Sequence, residues 1–245
     1  MIYDIDGKKQ DNVSYGNKAD ISETRLPRRV QPIHYGVNYH KDPLQFKLIF
    51  GAQEALDRYD LEAIALWLTG YQDYQWLTIC QPDQVLTYRC LIKELTPIAI
   101  SWLPVAFEAA IVCDCQYAYG YEFHESYLIN GSGNVLLRND SSVREYLKPE
   151  LLFVPSGGSG GSITWRIINH SDGDREFRIA GIPSGSTGVH VDCANGIITE
   201  QRYDLNLYDG YNMNMFRLVQ GDNLLEIYGS GTTTISGRTL HNVSA

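Results

Sequence analysis

The run Leu44-Gln-Phe-Lys-Leu-Ile-Phe-Gly-Ala-Gln-Glu-Ala-Leu-Asp-Arg-Tyr-Asp-Leu-Glu-Ala-Ile-Ala-Leu-Trp-Leu-Thr-Gly70 decides the fold. In its first third Leu44, Phe46, Leu48 and Phe50 alternate with Gln45 and Lys47, the period-2 pattern of a half-buried strand. From Asp57 the period changes. Leu61, Ile64 and Leu68 fall at i, i+3 and i+7, one face of a helix turned toward a core. Asp57 or Asp60 can cap its start, and Gly70 stands where a left-handed residue ends a helix. On this reading Leu61 and Ile64 are core residues, each expected to cost about 2–5 kcal/mol when cut to alanine.

Nowhere else does a helical pattern of this quality recur. Leu86, Tyr88, Cys90 and Ile92 alternate, and Ile98, Ile100 and Trp102 change phase with Val105, Phe107, Ala109, Ile111 and Cys113 across Leu103-Pro104. Proline cannot donate to a ladder, so a bend or bulge is expected there between two strands. Further on, Ile163, Trp165 and Ile167, then Val189, Val191 and Cys193, then Leu225 and Ile227, form short alternating segments separated by turn clusters, the layout of a sandwich or barrel. Asn195-Gly196 signals a type I′ hairpin, in which both central residues take φ > 0. The class is therefore mainly β with one helix.

The chain has 245 residues, 44% hydrophobic and 20% charged, a globular composition long enough for two domains. Near residue 125 the composition shifts. Of the 22 glycines only six lie before it, and Lys148 is the one lysine after it. Two domains are expected, 1–125 and 126–245, the second a glycine-rich sandwich. A piece ending near Glu125 and a piece starting at 126 should each fold.

Twenty Lys and Arg against 29 Asp and Glu give a net charge of −9, with pI near 5.1, which argues against specific nucleic-acid binding. The polar N-terminus lacks a secretory signal, and the apolar stretch Ile98–Val112 is broken by Ser101, Pro104 and Glu108, so membrane insertion is not expected. The cytoplasm of the producing cell is the expected site of synthesis. Cys80, Cys90, Cys113, Cys115 and Cys193 contain no CxxC pair and read as reduced core residues. Cys113 and Cys115 would share a strand face. The sequons at Asn12, Asn139, Asn169 and Asn242 are chance matches on a chain without secretion.

Gly157-Gly158-Ser159-Gly160-Gly161 satisfies G-x-S-x-G, but a nucleophile elbow needs a helix after it and this loop leads into a strand. Asp4-Ile5-Asp6-Gly7 and Asp172-Gly173-Asp174 lack the later oxygen ligands of a calcium loop. His34, His40, His124, His170, His190 and His241 are scattered, and Glu122 with Glu125 sits among Tyr117, Tyr119, Tyr121 and Phe123. Arg25-Leu-Pro-Arg28-Arg29 is a brief basic cluster, suited to a local contact. No catalytic residue, no cofactor-binding residue and no metal ligand emerges, and no enzyme is expected.

Taken in order, the landmarks resemble a family. Asp42-Pro43-Leu44 through Phe50, Leu56-Asp57-Arg58-Tyr59-Asp60, Trp67-Leu68-Thr69-Gly70 and Asp73-Tyr74-Gln75-Trp76-Leu77 resemble the N-terminal domain of the distal tail proteins of long-tailed, siphovirus-type phages of Gram-positive bacteria. Tyr88-Arg89-Cys90, Val105-Ala106-Phe107-Glu108 and Cys113-Asp114-Cys115-Gln116-Tyr117-Ala118-Tyr119 continue the match. Gly188-Val189-His190-Val191-Asp192, Phe216-Arg217-Leu218 and Gly221-Asp222-Asn223-Leu224-Leu225-Glu226-Ile227 resemble that family's galectin-like domain. The resemblance implies an N-terminal β-sandwich-like domain with one helix, a galectin-like β-sandwich after it, and a place at the distal end of the virion's tail. It also implies a hexameric ring and, as partners, the tail tube protein, the tail-tip or tail-associated lysin protein, the tape measure protein and, in some phages, receptor-binding proteins. A galectin-like fold does not by itself imply sugar binding. The alternative, a carbohydrate-binding module attaching to the host surface, would need a stacking tryptophan. Trp165 is the one in the second half, and its alternation with Ile163 and Ile167 makes it core.

Overall fold

The structure is a computed structural model, and it describes residues 19–24, 33–39, 42–51, 55–80, 85–156, 161–202 and 205–242. It is mostly antiparallel β-sheet, with one α-helix among the described residues. The chain divides into two compact units, the first running to Tyr119 and taking in Asn242, the second Gly120–His241.

In the first unit, β1 (Ala19–Thr24) pairs antiparallel with β2 (Ile33–Tyr39) as a two-stranded sheet. A four-stranded antiparallel sheet follows, from β3 (Gln45–Gly51), β4 (Gln75–Cys80), β5 (Val85–Ile100) and β6 (Leu103–Cys113), in the order β4-β5-β6-β3. The alternation read from Leu44 to Phe50 is the inward face of β3. Phe46 meets Tyr88 edge to face at 5.1 Å, and Phe50 stacks on Phe107 at 5.6 Å. Leu86, Tyr88, Cys90, Ala109, Ile111 and Cys113 complete this core.

Helix α1 (Arg58–Thr69) starts with a reciprocal capping box. The Asp60 N–H donates to Asp57 Oδ1 at 2.8 Å, and the Asp57 N–H donates to Asp60 Oδ2 at 3.1 Å, so two orphan donors are satisfied at once. Gly70 closes the helix by donating to the Leu66 carbonyl at 2.9 Å. It is right-handed rather than left-handed, φ −74°. Glycine is needed there for space, since a Cβ would lie 2.4 Å from the Leu66 oxygen. Leu61, Ile64 and Leu68 face the sheet as the periodicity requires, but they are half-buried and α1 has no fully buried residue. The 2–5 kcal/mol cost expected for Leu61 or Ile64 is therefore too large, because that range belongs to enclosed side chains.

The phase change near Pro104 is a hairpin turn, not a bend. Ile100 pairs with Leu103, and Ser101 and Trp102 form the turn with φ of 51° and 71°. Pro104 already lies within β6, opposite Ala99. The sequence hides this turn because neither Asn nor Gly occupies it. Cys115 likewise falls after the end of β6, in an irregular stretch, so it does not share a strand face with Cys113.

The second unit follows as β7 (Ala118–Asn139), β8 (Glu150–Pro155), β9 (Ser162–Asn169), β10 (Arg175–Pro183), β11 (Val189–Asp192), β12 (Ile197–Glu200) and β13 (Gly221–His241). It is a β-sandwich whose two leaves share one strand. The first part of β13 pairs with β9, which pairs with β10. Its later part pairs with β8, which pairs with β11 and so with β12. Between the parts lie Gly229 (φ 143°) and Gly231 (φ 156°). A Cβ on Gly231 would meet the Val154 oxygen at 2.2 Å, so only glycine lets the strand cross from leaf to leaf.

The sandwich core centres on Trp165, stacked on Phe153 at 5.1 Å and meeting Phe177 edge to face at 5.2 Å. Leu151, Ile167, Ile179, Leu218 and Ile227 are fully buried around it. The turn after β11 differs from the type I′ expectation. Asp192 pairs with Ile197 across a four-residue loop in which Gly196 has φ 72° and Asn195 does not have positive φ. Asp192 Oδ1 accepts from the Ala194 and Asn195 N–H groups, both at 2.9 Å, and this Asx turn sets the longer loop.

Candidate interaction surface

Most side chains with chemical potential are engaged in local structure. Asp172 accepts two hydrogen bonds from Arg217, at 2.7 and 3.1 Å, and Asp174 sits 2.6 Å from His170 Nδ1. That stretch is a short 3₁₀ turn closed by left-handed Gly173. Glu122 is held by Arg238 at 2.7 Å, and His190 lies 3.5 Å from Glu150. Among the described residues, no three His, Cys, Asp or Glu side chains come together as a metal site. Asp4-Ile5-Asp6-Gly7, Asn12, Arg25 to Arg29, His40 and the Gly157–Gly160 portion of the serine motif lie outside the described residues, as does the His34 side chain.

All five cysteines are free; Cys90, Cys113 and Cys193 are buried, whereas Cys80 is exposed. Burial pushes the Cys113 and Cys193 thiols up to about 12, so neither supplies a thiolate at neutral pH. Cys115 is also raised by burial, against a hydrogen bond with Tyr119 that lowers it.

What the first unit does present is apolar surface. Between α1 and the sheet lies a cavity of about 530 Å³, walled by Leu48, Phe50, Trp67, Leu68, Trp76 and Ile92 among others, with no charged side chain in its lining. Trp67 is 65% exposed and Trp76, packed edge to face on Tyr119 at 5.2 Å, is 52% exposed. The cavity follows from the half-buried helix: the sheet keeps apolar residues on the face beneath α1, and the helix does not close down on them. At the far end of the β5–β6 hairpin, Trp102 is 97% exposed, with exposed Ile100 and Leu103 beside it. Sequence reading took Trp102 for part of a strand; an indole on a two-residue turn was the signal available.

The second unit differs. Trp165 has no exposed surface, so it is unavailable to stack on a sugar. Two of its tyrosines carry arginines: Arg217 lies over the Tyr146 ring at 3.6 Å and Arg166 over the Tyr228 ring at 3.7 Å. Ser186 donates to Glu200 in a buried pair beneath β12. Among the described residues, no helix is long and apolar enough to cross a membrane.

Residues 1–115 match the model of a phage tail protein N-terminal domain, and residues 117–236 match that of a phage tail C-terminal domain. Among solved structures, the chain is similar to the Dit protein (gp 19.1) of SPP1, a paradigm of the hub adsorption apparatus in phages infecting Gram-positive bacteria. That likeness has a TM-score of 0.61 at 12% identity, over 94% of this chain and 91% of that one. Chains of the phage P2 baseplate in its activated conformation are also similar. With Ca the TM-score is 0.53 at 9% identity over 90% of this chain and 86% of that chain; with Sr it is 0.54 at 12% over 91% and 87%. At these identities the likeness is one of fold. No curated protein matches by sequence.

Proposed function

This chain belongs to a family of phage tail proteins, and from that premise we propose that it is a distal tail protein, a structural and non-enzymatic hub. In this reading six copies form a ring at the distal end of the tail, joining the tail tube protein to the tail-tip or tail-associated lysin protein. The ring adjoins the tape measure protein and anchors host-adhesion components, receptor-binding proteins among them. The protein is made in the host cytoplasm and works in the virion.

The observation that carries this reading is the pairing of a hub-type fold over nearly the whole chain with a first unit that leaves Trp67, Trp76 and Trp102 on its surface. Large exposed apolar residues near an open apolar cavity mark a protein that completes itself by association. Charge fits a DNA conduit. With −9 per chain, a six-membered ring carries about −54, a field that repels phosphates rather than holding them. The lumen is expected to be acidic or neutral. The carbohydrate-binding alternative loses its anchor in Trp165, which is enclosed.

Mass photometry with negative-stain imaging of the purified protein tests the proposal. A closed six-fold particle is expected. Monomers alone across the micromolar range would overturn it.

A further inference from the structure

We propose that neighbouring copies in the ring are joined knob-into-hole: the β5–β6 hairpin tip of one copy, led by Trp102, seats in the apolar cavity between α1 and the sheet of the next. The inference rests on the ring reading above and names the residues that make the contact. Its occupant is a second copy of this chain.

The knob is built in a way its own copy does not need. Ser101 and Trp102 adopt φ of 51° and 71°, the two-residue hairpin turn that favours Asn and Gly. A bulky residue at positive φ is strained, and such strain marks sites kept for something other than folding. Trp102 is 97% exposed, Ile100 65% and Leu103 56%, so the tip buries little in its own unit. Tryptophan is the residue most enriched among interface hot spots.

The hole is complementary in size and chemistry. At about 530 Å³ it falls among cavities that enclose small organic molecules, enough for an indole with a flanking aliphatic side chain. Its lining has no charged group, and the tip from Ile98 to Leu103 has none either.

Reach excludes the copy's own cavity, so the knob must seat in a separate molecule, and the ring reading makes that molecule another copy. Ile92 in the cavity wall and Trp102 lie on one hairpin, paired from Cys90–Cys113 out to Ile100–Leu103. Phe50, also in the cavity wall, pairs with Phe107 opposite Pro97, so at about 3.3 Å per residue the tip stands roughly 16 Å beyond that end of its own cavity, farther than an indole reaches. Knob and hole are thus different patches of one molecule, and a contact between different patches propagates head to tail and closes into a ring when the rotation allows.

Two variants and their mixture test this. Trp102→Gly removes the knob and suits the positive φ, so its thermal stability as a monomer should equal or exceed that of the wild type. Its concentration for half-assembly of rings should rise at least about 30-fold, as for a lost hot spot. Trp67→Glu places a charge at the mouth of the hole and should also remain monomeric. Mixed one to one, each variant supplies the half the other lacks, and a heterodimer that grows no further is expected by mass photometry. Rings from Trp102→Gly at wild-type concentration, or no heterodimer from the mixture, would overturn the contact. A photo-reactive phenylalanine at position 102 gives an independent reading. Crosslinks between copies into the cavity lining, at residues 48–50, 67–77, 90–92 or 109–111, support the contact, and crosslinks elsewhere overturn it. Wild-type protein that never forms rings would sink the hub reading itself; wild-type rings that survive Trp102→Gly sink only this interface.

Discussion

The four tryptophans divide between the two units in opposite ways. Trp67, Trp76 and Trp102 of the first unit are more than half exposed, whereas Trp165 of the second has no exposed surface. The largest fully enclosed side chains, from Trp165 and Phe153 to Ile235, all belong to the second unit. Both units leave large apolar residues outside, Leu66 in the first and Leu128 and Met213 in the second among them; they differ in that the second encloses its tryptophan in a closed core, whereas the first turns its tryptophans outward and leaves a cavity under its helix. The lesson is that similar composition can close a core in one part of a chain and leave it open in another. Which use applies is set by whether the elements can close on each other.

The sharpest way to break this contrast is to cut the same side chain in both regions. Trp165→Ala should destabilise the second unit by about 3–5 kcal/mol, as large core truncations do. Trp67→Ala should leave unfolding of the first within about 0.5 kcal/mol, as surface changes do. Urea denaturation followed by circular dichroism compares them, and equal losses would erase the distinction. Gly231→Ala, with its Cβ against the Val154 oxygen, should cost the sandwich about 1–3 kcal/mol through forced backbone strain. The same measurement reports it.

Smaller effects sharpen the comparison from the other side. Asp57→Ala removes half of the capping box and should cost the first unit about 1 kcal/mol, visible as loss of helical signal at lower urea. Separation of the units is best tested by a cut at Tyr119/Gly120, which leaves only the first two residues of β7 behind, rather than near 125, which would split that strand more deeply. A piece ending at Tyr119 is expected to retain ring formation and Gly120–His241 to fold as a monomer; rings from the second piece alone would reverse the assignment.

The weakest effect is electrostatic. His170 is raised above its ordinary 6.5 by its hydrogen bond to Asp174, opposed by desolvation, with Glu226 adding to the rise. A raised value means that the folded state favours the protonated ring. The stabilisation is therefore complete below pH 6.5 and fades as pH climbs through the folded value. The difference in melting temperature between wild type and His170→Gln should shrink between pH 5.5 and pH 8, and a difference constant with pH would refute the pairing.

Legibility in the sequence tracked how local each signal was. The strand from Leu44 to Phe50 and the helix after it could be read because alternation, the Asp57–Asp60 box and Gly70 all act within one or two turns of chain. The core role of Trp165 could be read for the same reason, from Ile163 and Ile167. The depth of α1 could not, because burial of Leu61 and Ile64 depends on how closely a sheet distant in sequence approaches. The Ser101-Trp102 turn was hidden by its own chemistry, since neither residue favours positive φ. The loop after Asp192 was misread because its carboxylate, rather than Asn195-Gly196, organises the backbone. The exposed face and cavity of the first unit had no sequence signature: periodicity marks which residues are apolar, not whether anything covers them.

The crossing of β13 between leaves at Gly229 and Gly231 has a consequence for how the sandwich comes apart. The leaves are joined through one continuous strand, Leu225–Tyr228 on β9 and Gly231–Ser236 on β8, so opening either leaf loosens a strand whose other part anchors the second. Amide hydrogens along β8 and β9 should therefore exchange with deuterium through one common opening, with matched protection. A phage tail protein built on such a module gains a part that opens as a whole, which leaves little half-open surface for proteases to find.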